Sequence, residues 1–185
     1  MKLVERSEIL DYVSYEERRS ALRASAMRAK DERRVRVGTY LTFLFENRET
    51  VRYQIQEMTR AEQMVKEADI RHEIETYNEL LGSHGDLGCT LLIEIDDPAA
   101  RAVRLAKWLS LPRHLYAKLE DGEKVRPTFD ERQVGDRRLS AVQYLRFPLG
   151  GRVPVAIGCD LDDAEVCAEA TLTPVQRQAL ASDLG

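Results

Sequence analysis

No apolar run in this sequence approaches the length of a membrane-crossing helix, and its first residues, Met1-Lys2-Leu3-Val4-Glu5-Arg6, turn charged too early for a secretory signal. Both absences point to a cytoplasmic chain with no membrane partner. Cysteine is scarce. Cys89, Cys159 and Cys167 are odd in number and lack CxxC spacing or a neighbouring zinc-knuckle histidine, which excludes a disulfide scaffold and a thiolate zinc site. They read as reduced packing residues, with a redox pair of Cys159 and Cys167 as the alternative. Excess charge of one sign is also lacking: 28 basic against 32 acidic residues leave a net −4, so the global balance points to neither nucleic acid nor an anionic membrane. Walker A, GxGxxG, GxSxG and HExxH patterns are absent, Ser140 and His114 have no identifiable triad partner, and no repeat or low-complexity linker is visible.

What is present is an ordinary globular mixture, 43% hydrophobic and 32% charged although only 6% aromatic, over 185 residues. That length suits one domain spanning 1–185, with an N-terminal helical segment at about 7–34. The helical reading rests on Ser14 and Glu17 as a capping box and on an uninterrupted run from Glu16 to Arg34. Its apolar side, Leu22, Ala26 and Met27, is thin, and its many arginines describe either a solvated face or one that contacts phosphate.

Alternation then takes over from Val35 to Phe45, with Leu41, Phe43 and Phe45 on one side and Thr42, Leu44 and Glu46 on the other; Gly38 marks a turn, giving one strand or a hairpin. Asn47 caps a helix carrying Val51, Ile55, Met58 and Val65, and a second stripe, Ile70, Ile74, Tyr77 and Leu81, ends at Gly82. Cys89–Asp96 is the clearest strand. Asp97-Pro98 opens a helix with Ala102, Leu105, Ala106 and Leu109 inward, closed by Pro112. Leu115 to Glu120 and Val125 to Phe129 read as strands about the Asp121-Gly122 turn; Leu139 to Phe147 fits helix or strand, with strand preferred. Val153, Val155 and Ile157 form a short strand, and Thr173-Pro174 starts a terminal helix. The pattern predicts an α/β or α+β fold, a mixed sheet around Thr90–Asp96 with helices packed on it.

Several phrases in order, Phe45-Glu46-Asn47-Arg48, Tyr53-Gln54-Ile55-Gln56-Glu57-Met58, His72-Glu73-Ile74-Glu75-Thr76-Tyr77-Asn78-Glu79-Leu80, Thr90-Leu91-Leu92-Ile93-Glu94-Ile95 and Ser140-Ala141-Val142-Gln143-Tyr144, resemble the bacterial "domain of unknown function 3501" family from about Met1 to Phe147. The resemblance implies an oxidative-stress or redox context, because members are often encoded beside rubrerythrin-like and iron–sulfur proteins. It implies no mechanism.

The candidate chemistry lies in carboxylates and one histidine. Glu94 and Asp96, two apart on a strand, share a face about 7 Å apart, a pairing that suits a hard cation such as Mg²⁺ or Mn²⁺. On the preceding helix His72, Glu75 and Glu79 follow at i, i+3 and i+7, so His72 and Glu75 join Glu94 and Asp96 as expected metal ligands. With Lys118 from the next strand, Glu94 and Asp96 resemble in outline the catalytic set of restriction-endonuclease-like nucleases. There the metal polarises a phosphate of DNA or RNA and lysine stabilises developing charge. The carboxylate-x-Lys pair of that superfamily is missing, since position 116 is Tyr and Glu120 follows Lys118 in reversed order.

Two other readings stay open. Acids two apart on a strand also describe a solvated sheet face, and the same residues would bind iron or manganese, or merely flank a docking surface, in the redox context. A second polar group, Asn47, Arg48, Gln54, Gln56 and Glu57, with Gln143 and Tyr144 as expected neighbours, reads as a hydrogen-bond network ahead of a substrate site.

Overall fold

The computed structural model describes residues 2–185. A short turn at Arg6–Glu8 precedes α1 (Tyr12–Asp31), which starts earlier than the Ser14 signal suggests. Asp11 is the cap: its carboxylate accepts from the N–H groups of Val13 and Ser14, and the Ser14 hydroxyl bonds to it as well. Only Tyr15, Ala26 and Ala29 of α1 are buried, so the helix is held largely through polar contacts. Arg19 grips Glu57 through two nitrogens at 2.8 and 2.9 Å, and Tyr15 donates to the same carboxylate.

A hairpin follows, β1 (Arg34–Val37) and β2 (Leu41–Phe45), turning at Gly38 with φ +60°. Next come α2 (Arg48–Ala61), capped by Asn47, and α3 (Glu67–Asn78). Val65, expected inward, lies in the connection and is exposed. β3 (Leu87–Ile93) returns antiparallel to β2, and α4 (Pro98–Lys107) starts at the Asp97 cap. The buried stripe of α4 is Leu105 with Trp108, while Ala102 and Ala106 face outward; Pro112 sits inside a further turn, α5 (Leu111–His114).

The remaining strands are β4 (Leu115–Lys118), β5 (Lys124–Val125), β6 (Thr128–Phe129), β7 (Val142–Phe147), β8 (Ala156–Cys159) and β9 (Ala168–Thr171), before α6 (Pro174–Leu184). The stretch expected as one strand from Val125 to Phe129 is two, because Arg126-Pro127 crosses from one sheet to the other and Pro127 has no N–H for a ladder.

The first sheet runs β1-β2-β3-β7-β6 and the second β5-β4-β8-β9. Every pairing among the described residues is antiparallel, so the architecture is the α+β of the two expected classes, without the parallel pairs that a mixed sheet would show. One core joins the two sheets, with Phe43, Phe45, Leu91, Leu115, Ile157 and Trp108 in it; Val51, Ile55, Ile70, Ile74 and Leu81 build a second cluster under α2 and α3. All five β2 residues are buried, since helices cover the face turned away from the second sheet. The end of the α3 segment is pressed onto β3 at Gly88, where a Cβ would stand 1.7 Å from the Leu80 carbonyl oxygen. Among the described residues no helix is long and apolar enough to cross a membrane.

Candidate functional site

Strand alternation sends Leu44, Thr90 and Leu92 to the outer face of the first sheet, beneath α2 and α3, with Tyr144 beside them on β7. The helices do not fill the space they cover. A cavity of about 230 Å³ remains, lined among others by Lys30 of α1, Glu46, Thr50 and Gln54 of the α2 region, and Thr90. Tyr77, Leu80 and Tyr144 separate it from an adjoining cleft of about 680 Å³ that continues past Glu73 and Glu79 to Arg146.

Two ionisable side chains give this cavity its character. Glu46 is only 7% exposed, and each carboxylate oxygen accepts one threonine hydroxyl, from Thr50 at 2.5 Å and from Thr90 at 2.7 Å. Lys30 lies with its Nζ 5.3 Å from the centre of the Tyr53 ring. Burial lowers its amine below the ordinary lysine range; Glu46 works against that shift, while Arg34 and Arg23 add to it. Among the described residues neither Glu46 nor Lys30 has an opposite charge within 4.0 Å. Burial also raises the Tyr77 hydroxyl, with Gln54 opposing it.

The residues expected to form a metal site lie apart from this cavity. Glu94 follows the end of β3, exposed, and accepts a 2.6 Å hydrogen bond from Thr42; Asp96 is exposed two residues on, so the alternation of burial outlasts the hydrogen-bonded strand. His72 and Glu75 are exposed on α3, and Glu79 borders the larger cleft. Lys118 sits in the other sheet, 3.0 Å from Glu169, which also accepts from Tyr116. No three His, Cys, Asp or Glu side chains among the described residues are grouped so that they could hold one metal ion.

The second polar group divides. Gln56 accepts from and donates to the backbone of Leu10, Arg48 reaches Glu8, and Glu57 takes Arg19, all structural ties. Gln54 and Tyr144 both line the cavity, but Gln143, one residue along the strand, faces the core and donates to the Ser140 carbonyl. Of the cysteines, Cys89 and Cys159 are buried and Cys167, expected to pack, is exposed; burial lifts the Cys89 thiol well up and that of Cys159 to about 11.

Sequence reasoning missed Lys30, Thr50, Thr90 and Tyr77 as site residues. Gln54 and Tyr144 carried a signal as members of the second polar group, and Glu46 one only as the acid that closes the Thr42, Leu44, Glu46 face.

A crystal structure described as a novel protein of unknown function from Burkholderia pseudomallei K96243 is similar along its whole length, at 30% sequence identity, 100% coverage of both chains and a TM-score of 0.90. No curated protein matches. The model of the family described as "Protein of unknown function (DUF3501)" matches residues 3–184, and the chain belongs to that family.

Proposed function

We propose that the chain binds a small polar organic molecule between the α2–α3 pair and the outer face of the five-stranded sheet. The observation that carries this reading is the pairing of Glu46 with hydroxyls alone, in a cavity that also holds a half-buried lysine without a carboxylate partner. Removing charges from water without an ion-pair partner costs several kcal/mol on the order of magnitude known for buried ions, a cost that the two threonine hydroxyls on Glu46 and the Tyr53 ring beside Lys30 offset only in part. Ionisable groups kept at such a cost inside a preformed cavity are the usual mark of a binding or catalytic site.

Hydrolysis of DNA or RNA by Glu94, Asp96 and Lys118 with Mg²⁺ or Mn²⁺ has less behind it, because Lys118 is already paired with Glu169 and His72 and Glu75 do not complete a ligand group.

A fragment screen by ligand-observed NMR, with hits mapped on amide shifts, tests the proposal. Hits are expected to move the amides of Thr50, Thr90 and Tyr144. Hits that leave those three unmoved would transfer the site elsewhere, and chelator-sensitive cleavage of plasmid that disappears in Glu94→Gln would favour the metal reading.

A further inference from the structure

The cavity holds opposite charges that do not meet, and that arrangement limits what it accepts. Glu46 is fixed: two threonine hydroxyls, one on α2 and one on β3, hold its two oxygens and leave further lone pairs turned to the cavity it lines. Lys30 is drawn over the Tyr53 ring, with Arg23 and Arg34 near enough to oppose its charge. An acid lacking an amine would enter against Glu46, and an amine lacking an acid would enter against Lys30, Arg23 and Arg34. A neutral molecule would leave both charges desolvated and without an opposite charge in direct contact. Only a molecule that carries both signs relieves both costs.

Resting on the binding reading above, we infer that the ligand of this cavity is a small zwitterion of amino-acid type, its ammonium group received by Glu46 and its acid group by Lys30. The volume of about 230 Å³ suits a molecule of that size, and the apolar wall of Leu44, Val51, Leu80 and Leu92 takes a short carbon skeleton or side chain. A carboxylate offers about four acceptor positions, so the two threonine hydroxyls leave about two on Glu46, enough for two of the three ammonium protons.

The test is calorimetric titration of the full chain with the twenty amino acids, β-alanine, γ-aminobutyrate and taurine, beside one-charge analogues such as propionate and ethylamine. Amide shift mapping follows for every binder. At least one zwitterion is expected to bind and to move the Thr50 and Thr90 amides, with each one-charge analogue at least about tenfold weaker, a difference of about 1.4 kcal/mol. Lys30→Met and Glu46→Gln are each expected to weaken that zwitterion at least about tenfold. Lys30→Arg and Glu46→Asp, which keep the charges, supply the comparison should the first pair fold poorly. If no zwitterion binds while neutral or singly charged fragments still move the cavity amides, the inference falls and the binding site stands. If no compound of any class moves them, both fall.

Discussion

Arg33 and Asp183, 150 residues apart, meet as a two-pronged ion pair with Nε–Oδ2 at 2.6 Å and Nη2–Oδ1 at 3.1 Å, both side chains under 10% exposed. The remaining Arg33 nitrogen donates to the Ala29 carbonyl, so the end of α1 is bound to the terminal helix α6. Asp183→Ala would leave the buried guanidinium only the more distant and half-exposed Glu32 carboxylate, 3.6 Å from Nη1, and a loss of about 3 kcal/mol is expected in urea unfolding. Arg33→Met combined with Asp183→Leu should recover most of it, since apolar replacement removes both desolvation costs. A single Asp183→Ala chain as stable as wild type would show that the pair contributes nothing.

Gly88 is the point where the chain after α3 touches β3, and the atom a Cβ would strike is the Leu80 carbonyl oxygen rather than a flexible side chain. Gly88→Ala is therefore expected to cost about 2–4 kcal/mol and to lift Leu80 and Tyr77 from the cavity wall. Thermal unfolding with amide shift mapping checks both parts; an unchanged midpoint would mean that the crossing has slack.

Lys30 makes a prediction about stability whose sign is opposite to that for binding. Its folded-state amine lies below the unfolded value of 10.5, so between those two values the unfolded chain holds more protons and stability rises with pH. At neutral pH the charged amine is a net cost, and Lys30→Met is expected to melt above wild type. The gap should close as pH climbs toward 10.5. A Lys30→Met chain that melts below wild type at neutral pH would contradict the desolvation argument.

On the second sheet, Asp160 accepts from Arg126 at 2.9 and 2.8 Å and from Lys124 at 3.0 Å, with His114 Nδ1 at 3.6 Å. Arg126 first, and Lys124 after it, hold this carboxyl well below its ordinary range. A depressed carboxyl contributes stability that is present above its unfolded value of 3.8 and lost as pH falls beneath it. Asp160→Asn should flatten that part of the stability profile in urea melts run from neutral pH downward, and less so at high salt because the group is 29% exposed. A profile with the same acid slope in both chains would assign the loss to other carboxyls.

Gly158 and Tyr116 form a close contact in the same sheet, where a Cβ at Gly158 would come 2.4 Å from the ring. The Nζ of Lys124 lies 4.1 Å from the centroid of the ring, whose hydroxyl donates to Glu169 at 2.9 Å. Gly158→Ala is expected to destabilise, and pairing it with Tyr116→Leu should recover part of the loss; a double variant no better than the single would argue against a steric cause.

Local chemistry by itself determined most of the elements. Asn47, Asp97 and Thr173 accept the amide hydrogens that start α2, α4 and α6, and the alternation from Leu41 to Phe45 and from Val142 to Phe147 separates two faces of a strand, because caps and a period of two act within a few residues. The stripe of α4 was misjudged for the complementary reason: Trp108, which packs against Tyr40 from the hairpin with centroids 5.6 Å apart, sets the rotation of the helix, and that neighbour is distant in the chain. The carboxylates Glu94 and Asp96 were legible as a pair on one face, but whether other ligands reach them depends on how α3 and β4 are placed, which spacing does not encode. Only the tertiary structure could set Lys30, Glu46 and Thr90 around one cavity. They come from a helix, a strand end and a second strand separated by up to sixty residues, and burial and charge compensation are properties of the packed neighbourhood rather than of any local run.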